Sequence, residues 1–108
     1  MMTRKWLTLY LSRNVSQVML EDFRAILPAD GLKIFVNDLD DTHHATVECV
    51  QAEDSCALIA SAVVVWRQLG HIHTMMYTKG ELQRSVNDAT QFELFTLLKN
   101  HRAVLRLA

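Results

Sequence analysis

The apolar residues of this chain switch repeatedly between a spacing of two and a helical spacing, and the order of these periods constrains the fold more than any other feature. Residues 5–12 alternate leucine with tryptophan, threonine and tyrosine, which predicts a half-buried strand. Residues 14–27 carry apolar side chains at helical spacing. Asn14 and Gln17 are a candidate capping box at the start of this helix, and Pro28 predicts its end.

Two more strands and a second helix follow. Residues 32–36 and 44–49 alternate again, and the segment 37–42 between them is rich in Asn and Asp, which predicts a turn. The nearly continuous apolar segment that comes next is longer than a usual strand, so its length favours a helix. Asp54 is the expected N-cap of this helix and Gly70 its expected C′ residue.

The last part of the chain predicts a fourth strand and a third helix. Residues 71–78 alternate, residues 81–87 form a polar link, and Thr90 with Glu93 forms a capping box for the helix. Residues 102–108 fit either a continuation of that helix or a short strand.

The resulting order β-α-β-β-α-β-α is typical of the ferredoxin-like split βαβ sandwich, an α+β fold in which two helices cover one face of an antiparallel sheet. The right-handed crossover rule then predicts a four-stranded sheet with the strand order 4-1-3-2. A chain of 108 residues has the size of one domain, so we expect residues 1–108 to form a single globular domain.

Charge and cysteine content argue against several classes of protein. Eleven Lys and Arg residues stand against twelve Asp and Glu residues, without the cationic cluster that nucleic-acid binding requires. No apolar run reaches the ~18 residues of a membrane span, and the alternating N-terminal segment predicts a strand rather than a signal peptide. Cys49 and Cys56 match neither a redox nor a zinc spacing, so we expect buried thiols in a cytoplasmic protein without a cofactor.

Histidines and aspartates collect at one predicted edge of the sheet, where the first strand ends, the turn after the second strand lies and the fourth strand begins. The candidate residues for a divalent metal, a small ligand or acid–base chemistry are Arg13, Asp38, Asp40, His43, His44, His71 and His73. A solvated turn explains the same residues without a ligand. Because hydrolase, zinc-protease and phosphate-loop motifs are missing from the sequence, a ligand- or metal-binding enzyme is the alternative hypothesis rather than the leading one.

The predicted sandwich has more apolar side chains than two helices and one sheet face can cover. Leucines of the first strand are assigned to the core, which leaves Trp6, Tyr10, Phe35, Met75 and Tyr77 on the opposite sheet face. That face is expected to be covered by the third helix or to be an interface. RNA-recognition domains of this topology stack bases on the same face, but this sequence lacks the cationic residues that surround such a site, which disfavours RNA binding.

The second helix is also apolar around most of its circumference. Leu58, Ala62, Val65 and Leu69 form a sufficient core stripe, and Ile59, Val63 and Trp66 widen it. This second set is expected to pack against either the last helix or a partner. The leading hypothesis is a small protein–protein interaction domain, a regulator, adaptor or inhibitor that binds a protein partner and forms a homodimer. Its expected interface residues are Trp6, Tyr10, Phe35, Ile59, Val63, Trp66, Met75 and Tyr77.

Overall fold

Three α-helices pack on one face of a six-stranded mixed sheet in the computed structural model, which describes residues 5–100 and 102–108. The elements are β1 (Trp6–Leu11), α1 (Arg13–Ile26), β2 (Leu32–Val36), β3 (Ala45–Val50), α2 (Glu53–Gln68), β4 (Met75–Lys79), β5 (Leu82–Ser85), α3 (Gln91–Leu98) and β6 (Val104–Leu107). The α+β class is therefore confirmed.

The sheet differs from the predicted ferredoxin-like sheet in its strand number and order. The strands lie in the order β2-β3-β1-β6-β4-β5. The last strand, β6, is parallel to β1 and antiparallel to β4. It separates the two strands that the order 4-1-3-2 places side by side, so the four-stranded antiparallel sheet is wrong in detail. The directions of β1 to β4 relative to one another nevertheless agree with that topology.

The two additional strands come from segments whose sequence signal is short. In β6, Leu105 and Leu107 are buried and Arg106 is exposed, so a four-residue alternation resolves residues 102–108 in favour of a strand. The predicted polar link contains β5, which forms a hairpin with β4. Gly80 has a φ of 61° in that hairpin turn, a conformation that glycine adopts without steric cost.

The helices α1 and α2 begin two residues before their predicted caps, whereas α3 begins as predicted. The N-cap of α1 is Ser12, whose Oγ accepts a hydrogen bond from the Val15 N–H at 3.5 Å. At the start of α2 the Ala52 N–H donates to Ser55 Oγ at 3.0 Å, so Asp54 is not the cap. The predicted caps Thr90 and Gly70 are confirmed by the capping box of α3 and by the positive φ of 82° after α2.

The core lies between the sheet and the helices. The leucines of β1 and the side chains of Ala45, Val47 and Cys49 in β3 are completely buried there, as their alternation predicts. In β4 the buried and exposed residues are the reverse of the prediction. Met75 and Tyr77 were expected on the face opposite the helices, but they point into the core and are 1% and 2% exposed. Residues 71–74 are irregular, and within them His73 and Thr74 hydrogen-bond through their backbone to Ala108, so the alternation begins only where β4 begins.

The face of α2 that packs on the sheet is also the reverse of the prediction. Ile59 and Val63 are fully buried, and Trp66 is 5% exposed. The expected core residues Leu58 and Val65 are instead 44% and 47% exposed. The spacing identified both stripes correctly, but both are apolar, so composition alone did not decide which stripe turns inward.

Candidate functional site

The predicted His/Asp edge forms around the first turn of α1. The Arg13 guanidinium bonds Asp41 Oδ1 at 2.6 Å through Nε and donates to the Asp38 carbonyl at 2.5 Å through Nη2. The Arg13 backbone N–H also donates to the Asp41 carbonyl at 2.8 Å. These bonds fix the loop between β2 and β3 against the start of α1.

His44 completes a chain of three polar side chains at this edge. Its Nδ1 lies 2.6 Å from Ser16 Oγ, and its Nε2 lies 3.2 Å from Asp38 Oδ1. Serine, histidine and aspartate in this order are the groups of a nucleophilic triad. However, Ser16 is only 2% exposed and its Oγ also lies within hydrogen-bond distance, 3.0 Å, of the Arg13 carbonyl. A nucleophile has to be accessible to its substrate. The hydrogen-bonded series Ser16–His44–Asp38 therefore fits a structural role, which holds the loop after β2 against α1, better than a catalytic one.

Asp40 and His43 form a second pair of polar side chains in the same loop. Asp40 Oδ1 accepts hydrogen bonds from the Thr42 and His43 backbone N–H groups at 2.9 and 3.0 Å, and the bond from His43 is the main cause that lowers the pKa of Asp40. His43 Nδ1 is 3.8 Å from Asp40 Oδ2, and its ring packs on Tyr10 with centroids 4.8 Å apart. The carboxylate is thereby used in closing the turn.

The other two candidate histidines lie before β4, at the same end of the sheet. The His71 N–H donates to the Trp66 carbonyl and the His73 N–H to the Ala108 carbonyl, both within 2.9 Å. The end of β6 lies between them and the end of β1. Across residues 5–100 and 102–108, no three His, Cys, Asp or Glu side chains are grouped in a way that could hold a metal ion. The structure thus brings together Arg13, Asp38, Asp40, His43 and His44, and it leaves His71 and His73 outside that cluster.

The sheet face opposite the helices is a mosaic of apolar and polar side chains. Trp6 and Tyr10 are half-buried there and Phe35 is 55% exposed, as predicted. Lys33 Nζ covers the Trp6 ring at 4.5 Å from its centroid. The third helix does not cover this face, since α3 packs beside α2 on the other side of the sheet. With Met75 and Tyr77 turned into the core, too few apolar side chains remain here for one continuous apolar patch.

The outward surface of α2 carries the largest apolar stripe among the helices. Leu58, Ala62, Val65 and Leu69 follow one another at intervals of three or four residues, and Leu69 is 65% exposed. A cleft of about 330 Å³ between α1 and α2 borders the stripe. A second cleft of about 360 Å³ lies between α2 and α3, on a different side of α2, and is lined by Ala57 and Ala60 rather than by residues of the stripe. Phe92, 75% exposed, lines that second cleft.

The open edge of the sheet at β2 is the second apolar surface. Val36 and Phe35 are 52% and 55% exposed, and Leu39 in the following loop is 96% exposed. The exposure of Leu39 and of the α2 stripe was not predicted, and the strand alternation predicts a buried Val36, which the structure contradicts. For α2 the signal was present in the sequence, because a helix that is apolar on both stripes must leave one of them outward in a two-layer fold.

Five of the eight predicted interface residues lie in the core and not at a surface: Ile59, Val63, Trp66, Met75 and Tyr77. The Trp66 indole is held there by a 3.0 Å hydrogen bond from Nε1 to Asp22 Oδ2 and by an edge-to-face contact with Phe23 at 5.1 Å. Burial of this kind assigns Trp66 to the stability of the fold rather than to binding.

Comparison of this chain with protein-family models, with curated proteins and with solved structures finds no match. In the part of the chain that the structure describes, no helix combines the length and the apolar character needed to cross a membrane.

Proposed function

We propose that this chain is a protein–protein interaction domain, a regulator, adaptor or inhibitor that acts as a homodimer and binds an amphipathic helix of a protein partner on the outward surface of α2. The observation that carries this proposal is the exposed stripe of Leu58, Val65 and Leu69, in which Leu58 and Val65 line the cleft between α1 and α2. A groove flanked by helices and lined by apolar residues at helical spacing is a common binding site for an amphipathic helix.

The polar groups at the border of the stripe fit this occupant. The cleft between α1 and α2 has an apolar wall made by Ala25, Ile26 and Ala62, and Asp22 and Ser61 lie at its border. An apolar centre with a polar border is the usual anatomy of a protein interface. The partner helix is therefore expected to present apolar residues inward and hydrogen-bond donors at its sides.

The available apolar surface sets the strength of this contact. Complete burial of one Leu, Val or Phe side chain contributes about 1.5–3 kcal/mol, so the exposed portions of Leu58, Val65 and Leu69 would contribute about 3 kcal/mol together. The loss of translational and rotational freedom on association is of similar size. One subunit alone is therefore expected to bind a partner helix weakly and reversibly. A homodimer presents two stripes, so a partner with two helices binds it with higher affinity, because the second contact forms at a high effective concentration.

A photo-cross-linking residue in place of Val65 tests the surface in the cells that produce the protein. We expect a covalent adduct of one discrete mass from this position, since Val65 lies in the middle of the stripe. The matched control carries the same cross-linker in place of Gln83, an exposed residue of β5, and gives no such adduct. The adduct should also disappear when Leu58→Gln and Leu69→Gln are added.

Equal adducts from both positions, or none from position 65, would contradict the proposal. An adduct from position 65 that consists of two copies of this chain would also contradict it, since it would place a second copy where the partner helix is proposed.

A further inference from the structure

The two outer edges of the sheet are protected very differently. Natural sheets guard their edge strands with charged side chains, because an unpaired apolar edge is a template for another strand. β5 is the sequence LQRS, preceded by Glu81, and all of its residues are exposed. β2 is the sequence LKIFV, in which Lys33 is the single charged residue. No described residue pairs with the outer side of β2.

The hydrogen bonds inside the sheet determine which residues of β2 have free backbone groups. The Asn37 N–H donates to the carbonyl of its antiparallel partner His44 at 2.7 Å. Since the direction of these groups alternates along a strand, Phe35 and Lys33 also direct their N–H and C=O toward β3. The backbone groups of Leu32, Ile34 and Val36 therefore point away from the sheet.

We infer that this free edge binds β2 of a second copy of the chain in antiparallel orientation, with the two Ile34 residues opposite each other. The inference rests on the homodimer of the proposed function and names its surface. Leu32 then lies opposite Val36 of the second copy. The outward-pointing backbone groups of Leu32, Ile34 and Val36 all form hydrogen bonds with those of the second copy. The two sheets become continuous, and the two-fold symmetry closes the contact so that it does not propagate into a fibre.

The side chains distinguish this register from its neighbours. Centred on Ile34, the pairing places Lys33 opposite Phe35 of the second copy on the open sheet face, where an ammonium group and an aromatic ring attract each other. A shift of the pairing toward the start of the strand places the two Lys33 residues opposite each other, and like charges that face each other across strands repel. A shift toward Val36 gives fewer backbone hydrogen bonds between these five-residue strands.

A cleft beside β2 provides the additional contact that a strand pair alone does not supply. A specific interface usually covers about 800 Å² on each partner, more than five paired residues give. The cleft has a volume of about 400 Å³ and is lined by Arg24, Ala29, Leu32 and Ile34. In the register centred on Ile34, Val36 of one copy lies opposite Leu32 of the other on the same sheet face. The exposed side chain of Val36 therefore comes over this cleft of the second copy.

Cysteine cross-linking tests both the edge and the register. The Ile34→Cys variant brings two thiols opposite each other across the two-fold axis, at a Cα separation near the ~5.5 Å that suits a disulfide. The Phe35→Cys variant is the matched control, because position 35 faces position 33 of the second copy and the two new thiols are too far apart. Both native cysteines are buried and give little background.

We expect a disulfide-linked dimer from Ile34→Cys under mild oxidation at a rate at least tenfold above that of Phe35→Cys, and a dimer mass for the unmodified chain by light scattering. Equal rates for the two variants, or faster linkage of Leu82→Cys on the opposite edge, would overturn the inference, as would a monomer mass at every concentration. Loss of the dimer leaves cross-linking from Val65 unchanged, so this inference and the binding of a partner helix fail separately.

Discussion

At the scale of single residues, the two cysteines show how burial changes chemistry. Cys49 is completely buried in β3, and burial raises the pKa of its thiol to about 12, with a smaller contribution from the Cys56 thiol. Burial also raises the pKa of Cys56, against an opposing effect of the Lys99 ammonium. Because the thiolate is the reactive form, both residues behave as small apolar core side chains, as their spacing predicts.

The raised pKa of Cys49 predicts a loss of stability in alkali. The thiol of the unfolded chain ionises near pH 9, whereas the native thiol stays protonated until about pH 12. Between these values the unfolded state binds fewer protons, so the free energy of unfolding falls by up to about 1.4 kcal/mol per pH unit. Urea unfolding across this range should show a smaller decline for Cys49→Ala than for the unmodified protein. Parallel declines of the two proteins would contradict the prediction.

Residue burial could be predicted from sequence where one face of an element is apolar, and not where both faces are. The buried leucines of β1 alternate with polar and aromatic residues, so their face was unambiguous. Met75 and Met76 are adjacent and chemically equal, and only the backbone of the irregular segment before β4 decides which one is buried. Trp66 was misplaced for the same reason, because it belongs to one of two apolar stripes of α2.

At the scale of elements, all three helices and four of the six strands follow from hydrophobic periods. The missing strands are four residues long, which is too short for a periodic signal to exceed chance. Their pairing is also non-local, since β6 binds β1 near the other end of the chain. The partner of a strand is chosen by packing and backbone hydrogen bonds that no local sequence window contains. The group formed by Arg13, Asp38, Asp40, His43 and His44 was predictable because it depends on β1 and the loop after β2, which were assigned correctly.

The central place of β6 predicts a strong and alternating response to substitution. Leu105 is 1% exposed and faces the helices, whereas Arg106 is exposed on the opposite sheet face. Leu105→Ala should lower the free energy of unfolding by about 2–5 kcal/mol, and Arg106→Ala by less than about 0.5 kcal/mol. Denaturant titration of the two variants measures the difference. Similar losses from both substitutions would show that β6 does not pack between β1 and β4 as described.

At the scale of the whole molecule, the two proposed contacts use separate parts of the fold. The partner surface is the outer side of the helical layer, and the self-association surface is one edge of the sheet. A two-layer fold can bury one face of each layer only, so the outer stripe of α2 and the edge of β2 remain for contacts outside the subunit. A dimer joined through β2 keeps both α2 stripes accessible. The geometry therefore supports simultaneous self-association and partner binding.

Self-association through β2 makes the stability of the whole molecule depend on protein concentration. If the native state is a dimer that dissociates on unfolding, a tenfold higher concentration raises the melting temperature by about 3–5 °C. Phe35→Lys places an ammonium group opposite Lys33 of the second copy, and Phe35 is exposed in the subunit, so this variant should fold and melt at a temperature independent of concentration. The control Phe92→Lys changes a more exposed aromatic residue in the helical layer and should keep the dependence. Calorimetry over about a hundredfold range of concentration distinguishes the cases. A melting temperature that is constant for the unmodified chain, or that rises equally with concentration in Phe35→Lys, would exclude the β2 edge as the dimer contact.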